Sequence, residues 1–476
     1  MFLVTMSMIL TLEYLYSTSS TFPSFIVRKY VSNECETDPT SEPEGAPDFV
    51  KKMVDAEKAL YAHSDHEVRH IGFLKVHKAA SSTIQNIFFR FGHQRNLSFV
   101  FTTDANYFSR KKEEHYPILP PRYRTGYDIL CNHGIFNYET YASILPADTV
   151  YIAVVRDPLE LFLSSVNYYT QTEMYIPYLR SVPGNKVQNL IRNTSDYDPE
   201  LFSYSRNVMA RDLGFPATEI SGLLDRHLKL LERKLKLVML VEYFEESLVL
   251  LKRYLNWDLK DILYIPNNVF GKGYTVLNLT ASDIELFNER NKLDVVIYNY
   301  FYARFWKQFS AEGEDIHGEV VHYKNVLKKL TTFCKNNYKP PKKGKIPPTI
   351  EESPILESFD ESGVLIIKKS LWNKKFTVKL DDCKYMLTKE LDFIALLRKV
   401  QGSEILPSKV FVGEHAVQTD HQRDVSEKDK YVPEPFMGDK LDSKKYYRGW
   451  RLPVLRDRFR KEYKVGNTKG DQKSYV

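Results

Sequence analysis

The feature that most constrains this chain is an apolar strand running straight into a loop of small residues and then an amphipathic helix. Residues 71–76 (IGFLKV) read as the strand and 77–80 as the loop; 81–92 read as the helix, with Ile84, Ile87, Phe88 and Phe91 on one face. Gly92 suits the helix stop. The arrangement recurs at 149–155 (TVYIAVV), an almost unbroken apolar run suited to a strand buried on both faces. Asp157 then fits an N-cap and Pro158 a first helical position, with the helix running to about Tyr169. Residues 127–131 and 237–241 read as further strands, and 246–255 as a helix. Leu224, Leu228, Leu231 and Leu235 form another helical stripe. Alternation of this kind predicts an α/β fold with a central parallel sheet flanked by helices.

The chain outside these units divides by composition. Residues 2–12 are the one strongly apolar opening run, shorter than the ~20 residues of a membrane helix and not preceded by Lys or Arg. They are read as a short signal-anchor candidate over 1–16. A Ser/Thr/Pro-rich stem follows and passes into a charged lead-in helix over 48–70, together 17–69. Residues 70–335 are expected to hold the core, and 336–402 a C-terminal part that starts in a Pro/Lys-rich crossing segment at 338–350. A polar tail over 403–476 is expected to be disordered. The excess of 67 Lys and Arg over 61 Asp and Glu is too small for a dedicated nucleic-acid binder, yet allows a basic pocket for an anionic ligand. Sequons at Asn96, Asn193 and Asn278 favour the secretory route. The four cysteines allow disulfides; Cys334 with Cys383 is the expected pair, and Cys131, ending a strand, is as well suited to a buried free thiol.

The loop carries the chemistry. A helix N-terminus offers unpaired N–H groups and a partial positive charge, and small residues let an anion approach the backbone. Ser81, Ser82 and Thr83 add hydroxyls, and Lys78 adds a cation, so a phosphate or sulfate is the natural guest. A bland reading, in which Ser81 caps the helix and Lys78 is solvated, fits an isolated S-S-T triplet; placement directly after a buried strand favours binding. The loop lacks glycine and the G-x-x-x-x-G-K-[ST] order, which argues against an ATPase or ordinary P-loop kinase. Arg156 ends the second buried strand, and Ser164 lies about two turns into the following helix. A planar guanidinium and a hydroxyl so placed can clamp one phosphate from two directions.

The run 74–83 (LKVHKAASST), together with Arg156 and Ser164, resembles the galactose-3-O-sulfotransferase family, and more distantly the cytosolic and uronyl 2-O-sulfotransferases. Further similar segments, among them 127–133, 206–215, 241–248 and 383–401, extend the resemblance over roughly 70–402. It implies a P-loop-like sulfotransferase fold, 3′-phosphoadenosine 5′-phosphosulfate (PAPS) as sulfo donor and no metal. The acceptor it implies is the 3-hydroxyl of a terminal β-galactose on a glycolipid or glycoprotein. It implies that Lys78 is catalytic, that Lys78, Ala79, Ala80, Ser81, Ser82 and Thr83 hold the 5′-phosphate, and that Arg156 and Ser164 hold the 3′-phosphate. His133 and His77 are the candidates for the base. It also implies a single-pass type II protein of the Golgi membrane with a lumenal catalytic domain. The chain departs from the family pattern at Ala79, where Thr is usual, and at Asn132 and Ile135, where His and Arg are usual. Those departures leave a uronyl 2-O-sulfotransferase-like enzyme, or a non-catalytic glycan- or nucleotide-binding protein, as alternatives. Tyr168, Tyr169, Tyr298 and Phe301 are candidates for stacking on a sugar, and Arg206 and Arg211 for meeting an anionic acceptor.

Overall fold

The computed structural model describes residues 62–402, apart from 105, 113, 123–125, 172–175, 219, 267–278 and 339–362. The expected anchor, stem and tail lie outside the described residues, as do Asn278 and most of the Pro/Lys-rich segment.

Four apolar strands build the sheet: β1 (Ile71–Leu74), β2 (Ile129–Leu130), β3 (Val150–Val155) and β4 (Leu235–Leu240). They are parallel, in the order β2-β1-β3-β4, with Leu74 level with Ala153 and Val154 with Met239. All four strands are almost wholly buried, which is why their sequences run apolar without alternation. The fold class is therefore the one expected.

Helix α1 (Ser81–Gln94) follows β1 and buries Ile84, Ile87, Phe88 and Phe91. It is succeeded by α2 (Tyr138–Ile144), α3 (Pro158–Gln171), α4 (Lys186–Arg192), α5 (Val208–Asp212), α6 (Ser221–Lys234) and α7 (Phe244–Leu255). Then come α8 (Ala281–Arg290), α9 (Lys292–Ala311) and α10 (Asp315–Asn337), the hairpin β5 (Leu365–Ile367)–β6 (Phe376–Val378), and α11 (Leu380–Leu387) and α12 (Glu390–Val400). A satellite core joins Phe162, Val166 and Tyr169 of α3 to Leu190 and Ile191 of α4 and Phe287 of α8.

Two expectations need correction. Residues 62–70 are not helical: Val68 N–H donates to Leu255 O at 3.0 Å, and His70 O accepts from Val150, so this lead-in is held as extended chain against the sheet. Leu235 does not continue the α6 stripe but opens β4, where it is fully buried. The long helices α9 and α10 had no counterpart in the sequence reading. Their apolar faces are interrupted by buried polar groups such as Asp294, Gln308 and Glu319, which blur the helical period.

The C-terminal helices lie on α1. Phe393 of α12 packs on Phe89 with ring centroids 5.4 Å apart, and Asn86 Nδ2 donates to Tyr385 O at 2.9 Å. Gln401 closes the contact, accepting from Phe99 N–H and donating to Phe99 O, both at 3.0 Å. Cys334 of α10 and Cys383 of α11 form the expected disulfide, and Cys131 is a buried free thiol.

Candidate active site

Because β1 and β3 are parallel neighbours, the loops that leave them share one end of the sheet. Arg156, at the end of β3, reaches across, and its Nη1 donates to the carbonyl of Lys78 at 3.0 Å. The two regions singled out in the sequence therefore meet. Ser164 is half-buried two turns into α3, and no hydrogen bond joins it to Arg156. Its neighbour Ser165 is fully buried, with an Oγ that has no partner among the described residues.

The loop has no glycine, yet Lys78 and Ala80 sit at φ 59° and 51°. Left-handed backbone at two non-glycine residues is strained and persists where the surroundings dictate it. Ala80 is the N-cap of α1 and supplies no side-chain cap. The main-chain N–H groups of Ala79, Ala80, Ser81 and Ser82 donate to no protein acceptor among the described residues. N–H groups left open at the start of a helix in this way are able to receive an anion. The hydroxyls are differently used than expected. Ser81 Oγ donates to Val76 O at 2.6 Å, and Ser82 Oγ to Glu390 Oε2 at 2.7 Å. Lys78 Nζ lies 3.5 Å from the centre of the Tyr168 ring. Burial, assisted by the charge of Arg156, pushes its pKa down to about 8.

Behind the loop is a buried ionic knot that the sequence did not announce. Lys75 is fully enclosed; its ammonium donates to Gln85 Oε1 at 2.7 Å and bonds the Glu390 carboxylate. Asn106 Nδ2 donates to the same carboxylate at 2.7 Å. Glu390 stands 315 positions after Lys75, a separation at which no local pattern can signal a partner.

On the other side of the loop two histidines stack, with ring centroids 4.0 Å apart. His77 is fixed at both nitrogens. Nδ1 is 2.7 Å from Asp212 Oδ2, which also accepts the His77 main-chain N–H at 2.8 Å, and Nε2 is 3.1 Å from the Tyr107 hydroxyl. Asp212 ends α5, whose first turn is capped by the buried Asp294: Met209 and Ala210 N–H donate to its two oxygens at 3.2 and 2.8 Å. Gly214 follows at φ 72°, where a Cβ would stand 1.9 Å from Phe136 O, so only glycine allows this close approach. His133 places Nδ1 3.2 Å from Lys75 O, which makes Nδ1 the donor and leaves Nε2 as the acceptor. Burial, then the neighbouring His77 and Lys75, hold its pKa well below the usual histidine range.

Tyr107 and Tyr204 wall the histidines, with Tyr204 edge-on to His77 at 5.9 Å and to Tyr169 at 5.0 Å. Arg211 lies 4.7 Å above the Tyr204 ring. Of the suggested stacking residues, Tyr168 and Tyr169 are at this site. Tyr298 instead donates to Glu242 Oε2 at 3.1 Å, and Phe301 is core. Arg206 donates to the main-chain carbonyls of Arg290, Pro199 and Glu200.

A sequence model described as galactose-3-O-sulfotransferase matches residues 3–401. The chain is 36% identical over 279 residues to galactosylceramide sulfotransferase of Homo sapiens, covering 56% of this chain and 64% of that protein. It is 31% identical over 278 residues to galactose-3-O-sulfotransferase 3 of Mus musculus, covering 56% and 63%. It is 30% identical over 365 residues to galactose-3-O-sulfotransferase 2 of Sus scrofa, covering 73% and 88%. The match thus spans less than two thirds of the first two relatives and most of the third. With that match running from the third residue to the end of the described body, the chain belongs to the galactose-3-O-sulfotransferase family.

Proposed function

We propose that the protein transfers a sulfo group from PAPS to the 3-hydroxyl of a terminal β-galactose on a glycolipid or glycoprotein. The observation that carries this reading is the meeting of the Lys78 loop and Arg156 at one end of the sheet, beside a stacked and buried histidine pair. The N–H groups of residues 79–82, which have no acceptor among the described residues, the Lys78 ammonium and the Arg156 guanidinium suit a ligand carrying anionic groups at two points. PAPS, when bound, supplies the sulfo group to be moved.

Each residue then has a defined task. The cradle and Lys78 bind and orient one phosphate, and Arg156 with Ser164 the other. Ser81 and Ser82 act through their N–H groups, since their hydroxyls already hold Val76 and Glu390. His133 is the base, because its Nε2 has no partner among the described residues while both His77 nitrogens are engaged. A depressed pKa keeps it neutral and able to accept the acceptor hydroxyl's proton. His77, fixed by Asp212, is a positioning residue stacked beneath it. Tyr204 and Tyr107 offer faces for a sugar ring.

The catalytic domain comprises the sheet body and residues 363–402, which pack on α1. The Cys334–Cys383 disulfide and exposed sequons at Asn96 and Asn193 support a lumenal, type II Golgi enzyme. No helix among the described residues is long and apolar enough to cross a membrane. The test is transfer of radiolabelled sulfate from PAPS to lactosylceramide, N-acetyllactosamine and heparan acceptors. Label on the galactose 3-position, abolished by Lys78→Ala, is the expected result; label on uronic acid alone, or on none of the three, refutes the reading.

A further inference from the structure

The β5–β6 hairpin combines three features that rarely coincide on a surface without purpose. First, residues 363–379 carry five lysines, at 368, 369, 374, 375 and 379, and no acidic residue. All five are exposed, and the closest ion pair is a long one from Lys374 to Asp258 at 3.9 Å. Second, Leu371 at the hairpin tip is 90% exposed, the most exposed large apolar side chain among the described residues. Ile366 of β5 and Val321 of α10 are exposed too.

Third, the tip is built rather than loose. Ser370 N–H donates to Asn373 O at 3.0 Å, and Asn373 Nδ2 donates to the carbonyls of Lys368 and Lys374 at 2.9 and 2.7 Å. Asn373 Oδ1 is 2.7 Å from His322 Nε2, which ties the tip to α10. Trp372 packs over Gly318, where a Cβ would come within 2.9 Å of the indole, and against the His322 ring at 5.3 Å. With Trp372 turned in and the turn pinned, Leu371 is held outward between two lysine pairs. Alongside runs a groove lined by Asn325, Lys328, Lys329, Thr332, Phe333 and Leu365, which brings two further lysines and two apolar side chains to the same face.

A pinned apolar tip flanked by two exposed lysine pairs suits the boundary between lipid headgroups and acyl chains, where charge and apolar burial act together. A soluble polyanion would use the lysines but gain nothing from Leu371, Ile366 or Val321. We propose that the β5–β6 hairpin and the adjoining α10 groove dock the protein on an anionic lipid bilayer, with Leu371 inserted at the interface. This docking is independent of which acceptor the active site takes.

The experiment is co-sedimentation of the full chain with vesicles of phosphatidylcholine alone or with about 30% phosphatidylserine, at 0.1 and 0.5 M NaCl. Any segment outside the described residues that binds lipid is common to all variants, so comparisons within the set isolate the hairpin. Near an anionic surface each lysine is worth about fivefold in partitioning. Lys368→Glu/Lys369→Glu should therefore lower partitioning onto anionic vesicles at least tenfold, with little change on neutral ones. Leu371→Ser, at a site too exposed to affect folding, should lower it severalfold, and high salt should weaken the wild type. Equal partitioning of wild type and both variants overturns the proposal. So does a wild type that binds heparin–agarose, through the same lysines and indifferent to Leu371→Ser, while ignoring the vesicles.

Discussion

Replacing Glu390 with Gln tests whether the C-terminal helix is wired into the Lys78 loop. Glu390 Oε1 faces Lys75 and Asn106, and Oε2 faces Ser82. Burial works to raise the Glu390 pKa, but the charge of Lys75 and the donated hydrogen bonds hold it below its ordinary 4.5. Burial likewise lowers the Lys75 pKa from 10.5, with Glu390 opposing the fall. Gln keeps the shape and one acceptor but removes the charge. It leaves an ammonium with no solvent exposure facing only neutral groups. Stranding one partner of a buried pair costs about 3–5 kcal/mol.

The penalty should depend on pH in a defined direction. In the wild type Glu390 contributes stability above pH 4.5 that is lost as pH falls through its lower folded value. In the variant Lys75 is depressed further, so its folded state binds a proton more weakly than its unfolded state. That penalty is complete below the folded pKa and fades as pH rises towards 10.5. The gap between the two proteins should therefore be widest around neutral pH and should narrow on both sides. Urea midpoints under non-reducing conditions from about pH 4 to 10 measure it. Lys75→Met/Glu390→Gln should recover most of the loss, because an apolar replacement strands nothing. A gap under about 1 kcal/mol at neutral pH, or one that stays flat across the range, would refute the buried pair as drawn.

Four further outcomes follow from the same geometry. Lys78→Arg should retain the charge yet lose at least ~10²-fold in kcat, because a planar fork cannot take the place of a compact ammonium against Tyr168; single-turnover sulfate transfer reads this. Asp212→Asn should lower kcat ~10–10²-fold while leaving PAPS affinity by calorimetry within about twofold, since the amide oxygen can still accept the His77 main-chain N–H and keep the loop anchored, while the carboxylate charge beside the His77 ring is lost. Ala80→Gly should stabilise the protein by up to ~1 kcal/mol, because glycine accepts φ 51° without strain; a lowered urea midpoint would count against the strained loop. Asp294, pushed up to about 7 by burial, binds its proton more tightly folded than unfolded, so its contribution is present below pH 3.8 and lost as pH rises through 7. Asp294→Asn should therefore flatten the decline in stability between pH 4 and 7, as seen in urea midpoints across that range.

Much of the fold was legible because its signals are local. The apolar runs of β1, β3 and β4, Pro158 at the start of α3 and the stripe of α1 each carry their structure within a dozen residues. The Lys78 loop and Arg156 could be named from sequence for the same reason, and parallel pairing of their strands was enough to bring them together. Hidden were the partners that only tertiary folding supplies. Asp212 and Tyr107 hold His77 from 135 and 30 positions away, and Glu390 arrives from the far end of the described chain. Nothing in the local pattern around Asp212, an ordinary acid at a short helix end, distinguishes it from a surface residue. One signal was available: a lysine set in the apolar run 71–76, as Lys75 is, demands a carboxylate somewhere if that run is buried.

That demand also explains a loop without glycine. A phosphate cradle needs its N–H groups converged, and glycine is the usual way to let the backbone bend. In this chain the bend is imposed from outside. Ser81 pins the turn to Val76, Arg156 pins the carbonyl of Lys78, Asp212 pins the N–H of His77, and Glu390 pins Ser82. Four anchors from four elements hold Lys78 and Ala80 left-handed. The consequence is that the cradle's shape is a property of the assembled body, including α12 and, through the Cys334–Cys383 bridge that secures the neighbouring α11, of α10 as well. Loosening any anchor should therefore cost ligand affinity before it costs the fold.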